Sequence, residues 1–261
     1  MSYLLVTTFN LNGYNLYGKR MLESFLEHWP DNQKIIVYTE NCTLDDNLIN
    51  TRIIVKDLLL VDGLVDFKTR HKDNPAANGY KPNGKHFRNF LFDAVRFSHK
   101  VFALYDAVQN NQGKSIVWLD ADTLTHSKIP INFLVKNFPI RYGVAYLGRK
   151  SKYTECGWVV YHTSHPLMHY FWETFINYYK NDTIFELQEW HDSFVFDVVR
   201  KEYEERGMIN QNIPHGSNDA HPFINSVLGD YMDHMKGPRK RQGRSKKSER
   251  HKKTNNIGWW K

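Results

Sequence analysis

Three observations predict an α/β protein with a central sheet flanked by helices. The chain opens strand–helix–strand: an apolar run, Tyr3-Leu-Leu-Val-Thr-Thr8, then helically spaced Leu16, Met21, Leu22, Phe25 and Leu26, then Lys34-Ile-Ile-Val-Tyr-Thr39. A second buried-strand pattern, Ser115-Ile-Val-Trp-Leu119, follows a long amphipathic stretch in mid-chain. At 261 residues, 41% hydrophobic and 24% charged, the chain can fill a core of one large domain or two small ones, which excludes a wholly disordered polypeptide.

In chain order, the turn-rich Asn10-Leu-Asn-Gly13 separates the first strand from its helix, which must stop before Pro30. Thr51-Arg-Ile-Ile-Val55 reads as a third strand. Residues 71–85 form a polar Gly/Pro/Asn loop, longer than a simple connector and so a candidate functional loop. Phe87, Phe90, Leu91, Ala94, Phe97, Val101, Leu104 and Val108 step by three and four and predict a helix over 86–110. The second half predicts strands over 141–147 and 157–161. A helix capped by Ser164 should run to 180, with two more over 183–190 and 192–205. The aromatic set in 170–179 reads as core packing rather than a sugar platform, and Cys156 as a small buried apolar residue. His162, His165 and His169 straddle a helix start without a carboxylate or Cys partner, so they read as ordinary surface or core histidines.

No apolar run approaches the roughly 18 residues of a membrane span. The N-terminus lacks a cationic lead and its apolar stretch is short for a signal peptide, and two cysteines, Cys42 and Cys156, make no disulfide framework. A cytoplasmic setting is therefore expected, or the host cytoplasm for a viral protein. The net charge of +7 is uneven. Between Lys236 and Lys253 ten Lys/Arg face one acid, Glu249, so this segment carries +9 and the remainder −2.

Chemistry concentrates in two places. Asp120-Ala-Asp122 closes the 115–119 strand, at the carboxyl end where open α/β sheets place ligands. Paired carboxylates suit a hard divalent cation, Mg²⁺ or Mn²⁺, although such a triplet alone also fits a solvated turn. Far downstream, His234-Met-Lys-Gly-Pro-Arg-Lys240 offers an imidazole compatible with Mn²⁺, a glycine that admits a phosphate near the backbone, and a mobile cation. Alone, it also fits a basic linker.

Together, the Asp-x-Asp and the His-x-x-Gly-x-x-Lys resemble the metal-dependent GT-A glycosyltransferases, most closely the glycogenin and bacterial lipopolysaccharide galactosyltransferase type. The resemblance implies a Rossmann-like domain with a mixed central sheet, in which Asp120, Asp122 and His234 hold Mn²⁺ (or Mg²⁺). Gly237 and Lys240 would hold the diphosphate of a UDP-sugar donor. It places Thr7, Thr8, Phe9, Asn10 and Tyr14 on the nucleoside, Ala121 between the acids, and Arg88, Arg96 and Lys100 near the nucleotide-sugar. Asp192, with Glu189, would serve the acceptor as contact or base; Asp192 equally suits a helix N-cap. The implied division is a catalytic domain over 1–236, with a nucleotide-sugar half (1–125) and an acceptor half (126–236), and a mobile basic tail over 237–261. Outside the two motifs the similarity is one of pattern only, and the Trp190-His-Asp-Ser193 neighbourhood departs from the family.

The basic segment suits polyanions bound by counterion release. A glycosyltransferase carrying it points to hydroxymethylated DNA as acceptor, as in bacteriophages that glycosylate their genomes. A cell-envelope or lipopolysaccharide glycan is the alternative acceptor. A nucleic-acid-binding protein without catalysis and a metal-dependent phosphohydrolase are the readings from other classes; the second lacks a further acidic cluster.

Overall fold

Residues 2–80, 88–216, 219–252 and 258–260 are described by the computed structural model. Strand β1 (Tyr3–Asn10) pairs in parallel with β2 (Lys34–Glu40), and β2 with β3 (Ile53–Asp57). On its other side β1 pairs in parallel with β4 (Ser115–Leu119), and β5 (Thr123–Thr125) follows directly in the chain. Strands β6 (Val144–Leu147) and β7 (Glu155–His162) form an antiparallel pair, with β7 antiparallel to β4; β8 (Gln211–Asn212) lies parallel to β6. The result is a mixed seven-stranded sheet in the order β3-β2-β1-β4-β7-β6-β8. A separate ribbon pairs β5 with β9 (Met232–His234).

Helices cover both faces, which is why the central strands are apolar at consecutive positions rather than alternately. Leu4, Val6, Ile116 and Trp118 face one core with the helices Ala94–Gln109, Met168–Lys180 and Asp192–Glu205. Leu5, Val117, Leu119 and Trp158 face the other with Met21, Leu22 and Phe25 of the helix Lys19–His28. The α/β class and the mixed sheet are as the sequence implies. Phe171, Trp172, Phe175 and Tyr179 are core residues, whereas Tyr170 is 59% exposed.

Several boundaries differ. Asn10-Leu-Asn-Gly13 opens a helix rather than a turn: the Asn10 side chain accepts from the Gly13 N–H at 2.9 Å, and a π-turn (Tyr14–Gly18) leads into Lys19–His28. The mid-chain helix begins at Ala94, not 86. The Asn89 side chain takes the Leu91 N–H, Phe90–Phe92 tighten into a 3₁₀ turn, and Asp93 is non-helical (φ −90°, ψ 59°). Residues 86 and 87, like 81–85 of the long loop, lie outside the described residues. Ser164 caps nothing: His165 Nδ1 accepts from the Leu167 N–H, and the helix starts at Met168. Of the expected 183–190 helix only the 3₁₀ turn Thr183–Glu186 forms, because Leu187 turns extended and the Trp190 N–H bonds the Leu91 carbonyl.

The basic segment, expected to be mobile unless a ligand orders it, packs on the body from Gly237 to Lys252. Arg239 pairs with Glu249, Arg250 and Lys252 pair with Asp230, and Ser245 is buried with its N–H on Asp233. Lys253 and the residues up to 257 lie outside the described residues. No described helix is long and apolar enough to cross a membrane.

Candidate active site

The carboxyl end of β4 sets the site. Its five residues are all buried, so the chain leaves the sheet at a fixed point and delivers Asp120 and Asp122 there. The Asp120 N–H bonds the Gly157 carbonyl of β7, and Trp118 Nε1 donates to Asp120 Oδ1 at 2.5 Å. The short β5–β9 ribbon brings in the distant partner: Thr123 lies opposite His234, and the Met235 N–H bonds the Asp122 carbonyl. His234 Nε2 therefore sits 3.1 Å from Asp122 Oδ1 and 3.3 Å from Asp120 Oδ2. One ligand atom from each of the three side chains can be chosen so that all lie within 4.8 Å of one another. Among the described residues, no other group of three or more His, Cys, Asp or Glu side chains draws together this way.

Cations ring the cluster. Lys240 Nζ is 2.7 Å from Asp122 Oδ2, and its ammonium lies 5.0 Å over the Tyr17 ring. The Lys240 carbonyl is held by Arg20 at 2.8 Å, which fastens this segment to the first helix. Lys100 reaches from the Ala94–Gln109 helix between two acids, 2.8 Å from Asp192 Oδ2 and 3.5 Å from Asp120 Oδ1, and also donates to the Cys156 carbonyl. Burial disfavours ionising Asp120 and Asp122, yet Lys100 and His234 for the first, and His234 and Lys240 for the second, outweigh it and hold both carboxyls below the usual range. Burial likewise opposes a charge on His234, but Asp122, Asp120 and Glu155 push its imidazole well above the ordinary histidine value. The arrangement is two carboxylates and an imidazole converging on one point, with the ammonium groups of Lys100 and Lys240 beside it: a donor set suited to a hard or borderline divalent cation beside an anionic ligand.

The other sequence-derived residues fall into place unevenly. Asp192 is not the N-cap; His191 holds that position, and the buried Asp192 carboxylate is spent on Lys100. Glu189 pairs with His191 Nε2 at 2.7 Å. Ala121 is buried between the two acids. Gly237 has φ +55°, and a Cβ there would meet open space, so the backbone faces a gap. Arg96 is exposed and acts on the Tyr17 hydroxyl together with Lys240, Asp122 and Asp120. Arg88 stands off the helix expected to carry it and is tied to Asp93 at 2.7 Å. Around β1, Thr7 is buried, Thr8 donates to the Tyr38 carbonyl, and Phe9 packs on Tyr14. The Tyr14 hydroxyl accepts from the Asp45 N–H.

Three contributors were not foreseen: Tyr17, Trp118 and Glu155. Glu155 is buried in β7 and meets His234 Nδ1, Lys236 and Arg149 at 2.9, 2.6 and 3.1 Å. A signal for it exists in the sequence. Glu155 and Gly157 alternate onto one face of a strand, an acid beside a gap.

No protein-family model matches the chain, and no curated sequence does. Solved structures do. The bifunctional glycosyltransferase WbbM superposes with a TM-score of 0.51 at 12% identity, covering 90% of this chain and 46% of that one. The fold is GT-A. Mouse xyloside xylosyltransferase 1 (TM-score 0.49, 11% identity, covering 82% of this chain and 85% of that one) is also similar. So is the galactosyltransferase LgtC, in complex with donor and acceptor sugar analogs (0.44, 12%, 90% and 87%). The chain thus spans less than half the length of WbbM.

Proposed function

We propose that this protein is a metal-dependent glycosyltransferase that moves a sugar from a nucleoside diphosphate sugar, a UDP-sugar, to a hydroxyl acceptor. The observation that carries the reading is the meeting of His234 with Asp120 and Asp122, residues more than a hundred positions apart, with Lys240 of the same segment on Asp122. The GT-A fold shared with WbbM, whose name describes a glycosyltransferase, supports it.

In this reading Asp120, Asp122 and His234 hold the cation, Mn²⁺ or Mg²⁺. The bound cation supplies Lewis-acid stabilisation of the negative charge that grows on the departing diphosphate. Lys240 exchanges Asp122 for the diphosphate, and the gap at Gly237 admits its oxygens. Lys100 holds Asp120 and Asp192 in a fixed relation and offsets part of their combined charge. Arg96, Arg88 and the 7–10 segment with Tyr14 serve the nucleotide, and Asp192 and Glu189 the acceptor.

The phage-DNA acceptor draws its support from the basic segment. There Lys236, Arg239, Lys240, Arg250 and Lys252 are paired with acids of the same chain, leaving Arg241, Arg244, Lys246 and Lys247 as exposed cations among the described residues. That pairing reduces the charge the segment offers to DNA, and a glycan hydroxyl is the alternative acceptor. The test of the function is thermal unfolding with UDP and Mn²⁺, together with hydrolysis of UDP-sugars. A raised midpoint that needs both UDP and Mn²⁺, and sugar release from at least one donor, is expected; neither effect with any donor overturns the reading. Nucleoside mass spectrometry of hydroxymethylated DNA after incubation with the donors should show no added sugar mass.

A further inference from the structure

Glu155 is an acid with almost no exposure, yet it belongs to neither the carboxylate pair nor the acceptor side. Its Oε1 lies 2.9 Å from His234 Nδ1 and 2.6 Å from Lys236 Nζ, and its Oε2 is 3.1 Å from Arg149; His221 Nδ1 stands 3.9 Å away. Its two oxygens are taken up by cations on either side, Oε1 by Lys236 and Oε2 by Arg149, which is the setting of a carboxylate. A carboxylate can only accept, so the His234 nitrogen that faces it carries the proton. When the ring is neutral, Nε2 is then the bare nitrogen, and Nε2 is the atom turned to Asp120 and Asp122.

Gly157 leaves the room that the ring occupies. It lies two residues along β7 from Glu155, and a Cβ there would stand 2.6 Å from His234 Nδ1, inside van der Waals contact. The backbone of the same residue is held as well: the His234 carbonyl accepts from His221 Nε2 at 3.0 Å. Glu155 thus sets the tautomer of the imidazole, and Gly157 the room it occupies.

We infer that Glu155 is a positioning residue that, with the gap left by Gly157, aims the Nε2 atom of His234 at the divalent cation. This rests on the metal reading of the Asp120–Asp122–His234 cluster. Buried acids behind metal-bound histidines fix ring orientation and raise ligand basicity, and their loss typically weakens metal affinity about 10–100-fold.

The test is titration of the full chain with Mn²⁺ alone, following the paramagnetic resonance signal of the free ion. Glu155→Gln and Gly157→Ala are each expected to weaken binding about 10–100-fold, while Glu173→Gln, an acid on the Met168–Lys180 helix paired with Tyr105, leaves it unchanged. Equal affinity in the wild type and Glu155→Gln overturns the inference and leaves the metal reading standing; no Mn²⁺ uptake by the wild type overturns both. A second measurement needs no change at Glu155. In wild type loaded with diamagnetic Zn²⁺, the ring-nitrogen spectrum of His234, assigned by its loss in His234→Gln, should show a protonated Nδ1. A protonated Nε2 overturns the inference even if Glu155→Gln fails to fold.

Discussion

Asp120 and Asp122 leave a strand whose five residues are all buried, pinned between two layers of helices. His234 closes a buried three-residue strand, whereas Lys240 lies on a four-residue helix, Arg239–Gln242, with Lys236 between the two; beyond the strand this segment is tied to the body by charge: Lys236 on Glu155, Lys240 on Asp122, Arg20 on the Lys240 carbonyl. One wall of the site is set by packing, the other by ion pairs and a two-stranded ribbon. Packing is short-ranged and indifferent to ligand charge, so the first wall keeps its shape whatever binds. In the second wall the proposed function displaces one contact, Lys240 on Asp122, so that side chain can adapt without the core yielding.

Substitutions should separate the two. Trp158 is fully buried on β7, its ring 5.4 Å from Phe138, and Trp158→Ala should cost about 3–5 kcal/mol of stability, read as a lower midpoint in chemical denaturation. A loss under about 1 kcal/mol would mean that the sheet wall is not packed as described. Asp122→Ala comes next. It should lower donor turnover by about 10²–10³-fold or more and remove the Mn²⁺-linked rise in melting temperature, while circular dichroism stays native. Retained turnover would move the chemistry elsewhere.

The same contrast explains what the sequence disclosed. The strand 115–119 and the acids after it were legible because four apolar residues in a row, Ile116 to Leu119, ending in charge have few other solutions in an α/β protein. His234, Gly237 and Lys240 were legible only through their resemblance to the family's His-x-x-Gly-x-x-Lys pattern. The ribbon that joins the two was not, since Thr123-Leu-Thr125 and Met232-Asp-His234 are too short to show a period. The 183–190 segment misled because its local propensity yields to a tertiary bond, Trp190 to Leu91. Arg88 was placed on a helix because Phe87, Phe90 and Leu91 keep the spacing, although the Asn89 side chain had already taken a helix-forming N–H. Tyr17 was hidden by the π-turn, which shifts the face presented by residues 14–18.

Lys240→Met probes the adaptable wall. Losing one charge-assisted contact to the diphosphate should weaken UDP binding in the presence of Mn²⁺ by about 10–100-fold, the worth of a hydrogen bond to a charged group. Stability should fall by less than the roughly 3–5 kcal/mol of breaking a fully buried ion pair, because its partner Asp122 keeps His234. A large stability loss with unchanged UDP affinity would reverse the assignment and make this lysine part of the rigid wall.

The smallest effect is one of pH, and it touches both regions. His126, just past β5, stacks on Trp259 at 5.0 Å, and burial, then Arg250 and His28, lower its pKa to about 4. His162 in β7 is bonded to the Ser115 hydroxyl at 2.7 Å, and burial, then His165, lower its pKa to about 4 as well. Both rings are therefore held neutral by the fold, and an unfolded chain takes up their protons first. Their contribution is complete above about pH 6.5 and is lost as pH falls from there toward 4, by at most about 1.4 kcal/mol per pH unit for each ring. Denaturation midpoints measured from pH 7.5 to 4.5 should show this decline, and His126→Phe should flatten part of it. Because His126 bridges the ribbon to the C-terminal tryptophans, tryptophan fluorescence should report loosening there at a higher pH than far-ultraviolet circular dichroism reports loss of the sheet. Coincident transitions would show that the charge-held wall and the packed wall unfold as one unit.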